Sequence, residues 1–152
     1  MGLDMYLSAR RYLWSDDDKV LSKKISDMID VDVDEDRGIN GSTLRVKGIE
    51  IDAMYWRKAN AVHGWFVENV QEDEDDCGEY HVERSQLEDL IRECEQALTS
   101  RDSKNLQPKS GFFFGSTDIN EGYWSDLEDT VVGLKRALTL SNDYSFYYSS
   151  SW

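Results

Sequence analysis

Tyr55, Trp56, Arg57, Lys58, Asn60 and His63 gather, within one short stretch, groups that grip an anion and stack on a flat ring. A guanidinium such as Arg57 holds a carboxylate or phosphate through two parallel hydrogen bonds, and Lys58 adds a second cation beside it. Tyr55 and Trp56 offer faces for a base or another planar group. Asn60 has both a donor and an acceptor with which to read an edge. Further along, Ser116 and Thr117 follow Gly115, where a turn would present amides and hydroxyls. Together these residues suit a nucleotide-like ligand. The plainer reading is that the aromatics fill the core while Arg57 and Lys58 neutralise acidic neighbours, because aromatic stripes at helical spacing most often mean core.

Catalytic frames are missing. Gly115-Ser116 lacks the Gly-x-Ser-x-Gly frame of a nucleophile elbow, and no glycine-rich phosphate loop is followed by a lysine. His63 and His81 are the only two histidines. An enzyme acting on a nucleotide or phosphoester would need one of them to share a cleft with a carboxylate. No catalytic residue or cofactor is assigned. The two cysteines, Cys77 and Cys94, form no CxxC pair and no zinc-like spacing, and are expected as free thiols in a reducing cytosol. Asp30, Asp32 and Asp34 open like a calcium loop. Glu35 stands where that loop needs glycine and Gly41 where it needs the bidentate glutamate, so no metal site is expected.

The formal net charge of −14 opposes direct binding to nucleic-acid backbone or to an anionic membrane. Two clusters concentrate it: Asp30, Asp32, Asp34, Glu35 and Asp36, then Glu72, Asp73, Glu74, Asp75 and Asp76. Such a surface either keeps the chain dissolved or meets a protein that normally binds a polyanion. No apolar run reads as a signal peptide or membrane span. Met1-Gly2 lacks the Ser or Thr at position 6 that myristoylation wants.

The 152 residues are expected to form a single α+β domain, with an antiparallel or mixed sheet packed by three to four helices. Gly2 to Leu13 alternates as a strand. Ser15 starts a helix that runs to about Ile29. Arg37 to Gly41 reads as a turn. Leu44 to Ile51 reads as a strand with a bulge near Gly48-Ile49, where the alternation changes phase. Tyr55, Ala59, Val62 and Phe66 recur at helical steps, which predicts a central helix over 55–70 with Asp52 as N-cap and Ile51 as half of a staple. Gly78 to Val82 is a short strand. Ser85 with Glu88 is a capping-box pattern opening a helix whose stripe of Leu87, Leu90, Ile91, Cys94 and Leu98 places Cys94 in the core. Arg101 to Ser110 is a loop. Gly111 to Thr117, aromatic on both faces, reads as a central strand. Trp124 to Leu140 forms the last helix, with Ser125 and Glu128 as its box. Tyr144 to Trp152 is a terminal strand.

Several stretches resemble a family of small proteins encoded by bacteriophages and prophages. They are the opening Met1-Gly2-Leu3-Asp4-Met5-Tyr6-Leu7, then Tyr55 to Gln71, Asp75-Asp76-Cys77-Gly78, Gly111 to Thr117 and the ending Tyr148 to Trp152. The likeness spans most of the chain, with 15–50 and 99–110 variable. Members are sometimes labelled phosphoglycerate kinase, but this chain is too short for that two-domain enzyme and lacks a nucleotide loop. The resemblance implies a non-enzymatic accessory protein in the host cytosol that blocks a host factor, most directly a defence protein. Two modes follow: an acidic surface that mimics nucleic acid, or sequestration of a nucleotide-like molecule, with a homodimer seam as one place for such a pocket.

Overall fold

Alternation builds the first strand as expected. In β1 (Asp4–Tyr12) Met5, Leu7 and Ala9 are buried, while Tyr6 is exposed and Ser8 and Arg10 are half-buried. The computed structural model describes residues 2–29, 46–111 and 114–152. The acidic cluster Asp30, Asp32, Asp34, Glu35 and Asp36, the turn at 37–41 and Leu44 lie outside these residues, as do Phe112 and Phe113. β1 pairs with β2 (Gly48–Arg57) on one side and β4 (Ser145–Ser151) on the other, and β3 (Glu79–Val82) pairs with β4. The sheet is four-stranded and antiparallel, in the order β2-β1-β4-β3. With its helices it makes an α+β fold.

α1 (Lys19–Met28) follows a short 3-10 turn at Asp16–Asp18. The Asp18 carboxylate accepts the amides of Trp14 and Ser15 and the Ser15 hydroxyl, closing that turn. Of the expected stripe only Leu21 and Ile25 are half-buried, while Met28 and Ile29 are exposed. α2 (Asn60–Asn69) is buried on every side from Asn60 to Val67, which places it inside the core and not on its edge. Phe66 stacks on Tyr148 of the sheet at 3.9 Å. On its other side the segment between α3 and α4 passes over it: Lys109 lies against Gly64, and Phe114 sits edge-on to His63. α3 (Arg84–Ser100) buries Leu87, Leu90, Ile91 and Cys94, and burial pushes the Cys94 thiol up to about 12, so it is inert packing. α4 (Glu121–Ala137) buries Leu127, Thr130, Leu134 and Ala137 and runs antiparallel to β2. Met54 sits at Gly133, and Trp56 Nε1 donates to Thr130 Oγ1 at 2.8 Å. A Cβ on Gly133 would overlap the Met54 sulfur, so a larger residue there would have to displace the Met54 side chain.

Several boundaries differ from the sequence expectation. Tyr55, Trp56 and Arg57 end a strand and do not begin a helix, so Asp52 lies mid-strand and caps nothing. The bulge falls at Ala53, where Leu7 faces Met54 and Ser8 faces Asp52, and not at Gly48. Gly111 and residues 114–117 lie in no strand; β1 and β4 hold the central places. α3 starts at Glu83, whose amide donates to Gln86 Oε1 at 2.9 Å, two residues before the expected cap. α4 starts at Asn120, whose Oδ1 accepts the Tyr123 amide at 3.2 Å, so Ser125 and Glu128 are helix interior. Among the described residues no helix is long and apolar enough to cross a membrane.

Candidate functional site

The turn from β2 into α2 takes only Lys58 and Ala59. Lys58 adopts φ 60, a left-handed conformation that costs a side-chain-bearing residue of order 1 kcal/mol. Its amide is tied to Leu3 O at 2.8 Å. Ala59, at φ −74 and ψ 67, is the centre of an inverse γ-turn closed by Asn60 N to Lys58 O at 2.8 Å. Ala59 has no side chain with which to cap the helix, and no other side chain does so. The amides of Ala61 and Val62 therefore take no hydrogen bond among the described residues.

A cavity of about 140 Å³ begins where those amides leave the helix. The first turn of α2 forms one wall, and the start of α4, from Asn120 to Tyr123, forms another. Lys58, Ser116, Asp118 and Asp126 bring charge and polarity to it. Asn60 is buried, and its Nδ2 donates to Phe114 O at 3.3 Å and Ser116 O at 2.8 Å, which ties the 114–116 loop to the start of the helix. Ser116 donates its hydroxyl to Asp118 Oδ2 at 2.8 Å, so the Asp118 carboxylate holds the loop while keeping its charge at the cavity wall. Gly115 (φ +94) lets this loop turn against the Lys58 stem. Burial, then the neighbouring Asp129, raises the Asp126 carboxyl to about 6. The cavity thus pairs a positive end, made by helix amides and Lys58, with a carboxyl that gains a proton just below neutral pH.

One turn along α2, His63 is fully buried. Its Nε2 lies 3.0 Å from Asp75 Oδ1 and its Nδ1 2.8 Å from the Tyr148 hydroxyl. Asp75 can only accept, so Nε2 carries the proton and Nδ1 accepts from Tyr148. Burial lowers the His63 pKa, against the pull of Asp75, and burial raises that of Tyr148 well above its ordinary value. Lys109 closes the outer end of the relay, 3.4 Å from Asp75. Every group in the relay has a partner. It fastens the 71–76 loop to α2. His81 is exposed, edge-on to Tyr147, with its Nδ1 3.5 Å from Glu83. Each histidine thus has a carboxylate beside it, His63 in the core and His81 at the surface.

The residues expected to form one ligand site are dispersed. Lys58, Asn60 and Ser116 meet at the cavity, with Thr117 exposed beside it. Trp56 and His63 are in the core. Tyr55 and Arg57 point to the opposite sheet face, where Tyr55 donates to Asp4 and packs on Tyr6 with ring centroids 5.4 Å apart. On the same face Arg10 bridges Glu50 of β2 and Glu79 of β3 while lying 4.7 Å over Tyr147 of β4. Of the second acidic cluster, Asp75 is bound to His63, and Asp76 accepts from the Gly78 amide and the Tyr80 hydroxyl. Glu72, Asp73 and Glu74 are exposed. The free amides of Ala61 and Val62 and the carboxyl of Asp126 leave no mark in the sequence. Among the described residues no group of three His, Cys, Asp or Glu side chains is placed to hold a metal ion. No family model, curated protein or solved structure matches the chain.

Proposed function

We propose that the protein acts by binding, and that its cavity receives a small anionic head group, a phosphate or a carboxylate. The uncapped first turn of α2, opening into a cavity beside Lys58, carries this reading. At about 140 Å³ the cavity is smaller than the roughly 300–1,000 Å³ of pockets that enclose drug-sized ligands. A nucleotide-like molecule would place only its phosphate inside, with the rest against the rim. Titration calorimetry with inorganic phosphate, sulfate and AMP tests this. Saturable one-to-one binding that weakens in Lys58→Met supports it; no heat from any of the three, or equal binding by the variant, refutes it.

The resemblance to phage proteins points such binding toward a host defence factor or its signal. The acidic reading keeps a smaller footing. Glu68, Glu72, Asp73 and Glu74 are exposed around the C-terminal end of α2, where the helix dipole disfavours carboxylates, so helix stability does not explain them. A cationic host protein held by these groups would be released at high salt and lost on their replacement by glutamine and asparagine.

A further inference from the structure

We propose that the groove between the outer edge of β2 and α4 takes an extended peptide as a fifth strand, with the side-chain pattern cation–x–apolar–x–carboxylate. β2 is an edge strand ten residues long, and among the described residues no strand pairs with its outer side. Edge strands of that length are commonly protected by proline, lysine or shortening. Beyond the bulge at Ala53, the segment Met54-Tyr55-Trp56 has neither proline nor lysine. It borders an open groove of about 520 Å³ whose other wall is α4. A strand that leaves its backbone groups open beside a helix is the geometry in which extended peptides add to sheets.

The chemistry of the occupant follows from the α4 wall. Asp126, Asp129, Gly133 and Arg136 follow one another along it, with Val132 exposed beside the Met54 crossing. Asp126, Asp129 and Arg136 are in no ion pair among the described residues. Arg57 also borders the groove at the acidic end, with its guanidinium drawn toward Gly2 and the Tyr55 hydroxyl. The wall therefore reads acidic, apolar, basic. From Asp126 to Arg136 a helix rises about 15 Å, at roughly 1.5 Å per residue. A strand covers about 13 Å in four residues, and its alternate side chains face one way. A peptide with a cation, an apolar residue and a carboxylate at every second position matches that wall in charge and in length. Running antiparallel to β2, it would place its cation by Asp126 and Asp129 and its carboxylate by Arg136. The groove shares only Asp126 with the anion cavity, so it is a separate site.

The probe is the synthetic peptide Thr-Lys-Thr-Val-Thr-Glu-Thr, acetylated and amidated so that its ends carry no charge. Its partner is the same peptide with Lys in place of Glu. Binding is followed by NMR, with hydrogen exchange at the β2 amides. The expected result is that the first peptide binds the wild-type protein more tightly and protects amides between Ala53 and Arg57. Arg136→Glu, an exposed change, should weaken it about fivefold and shift the preference to the second peptide. Three results would overturn the proposal. One is no binding of either peptide. Another is equal binding of both by wild type and variant, which is only attraction to an acidic protein. The last is a free protein whose outward β2 amides are already protected, because the edge is then occupied by its own chain.

Discussion

The two ends of α2 are built in opposite ways. At the N-terminal end, amides have no partner among the described residues, a lysine is held in a left-handed turn, and a cavity opens. Beyond the other end, the 71–76 loop is bound back onto the helix through Asp75, His63 and Tyr148, and Gln71 Nε2 donates to Glu74 O at 2.8 Å. The same helix therefore has unpaired backbone amides beside a cavity at one end and a bonded side-chain series packed against protein at the other. The first is how a binding site looks. The second is how a structural clamp looks, even though a Tyr-His-Asp series resembles catalytic machinery when read as a list. Partners and access, not residue types, separate the two.

Replacing His63 with Ala should sharpen that distinction most. It strands Tyr148 and Asp75 and opens a cavity, so urea unfolding should show a loss of about 3 kcal/mol. The pH dependence should change too. The folded-state pKa of His63 lies below its unfolded value, so the unfolded chain binds the proton first. The stability that neutral His63 provides is present above about pH 6.5 and is lost as the pH falls through the folded value. His63→Ala should lack that loss; a variant as stable as wild type would mean that the clamp holds nothing. At the opposite end, Lys58→Met should lower phosphate affinity about tenfold, roughly 1.4 kcal/mol, while shifting the unfolding midpoint little. If stability fell and binding did not, the two ends would have exchanged roles.

Smaller effects concern Asp126. Sulfate affinity should rise about threefold as pH falls through about 6, because protonation removes a negative charge from the cavity. Asp126→Asn should abolish that slope. The same carboxyl has a folded pKa above its unfolded value, so its contribution to stability is full at low pH and is lost as the pH rises through about 6, opposite in sign to that of His63. Asp126→Asn should therefore stabilise the protein at pH 8 by about 0.5 kcal/mol, discounted for partial solvent contact. Thermal melts at pH 5 and pH 8 would show whether the gain appears only at the higher pH.

Periodicity reads correctly in some elements and not in α1, where Met28 and Ile29 of the expected stripe are exposed. β1, β4, the buried face of α3 and Cys94 follow from spacing because each buries one repeating set of side chains. The site region misleads for a specific reason. Tyr55, Ala59, Val62 and Phe66 keep helical spacing across a junction where strand becomes helix, and Lys58-Ala59 makes that junction without glycine, proline or asparagine. Nothing local marks it. The aromatic run at Gly111 fails differently: Phe114 is buried against His63 and Trp152 as part of a strap over α2, and a buried aromatic looks the same in a strand or a loop. The capping pattern at Ser125 shows that a short motif on the exposed face of a helix can imitate a helix start. The cavity depends on uncapped amides, an absence that composition does not reveal.

The place of β4 has a kinetic consequence. It lies between β1 and β3, with Ala9 opposite Phe146, so the sheet is completed only when the two ends of the described chain meet. Long-range pairing of this kind slows folding, since the loop must close before its contacts give any return. During synthesis β1, β2 and α2 leave the ribosome well before β4. Until then Met5 and Leu7 of β1 and Phe66 of α2 lack Tyr148 and its neighbours, and they form a sticky surface open to chaperones or to other nascent copies. The yield of native protein should therefore depend on how quickly residues 145–151 are released relative to capture of that surface.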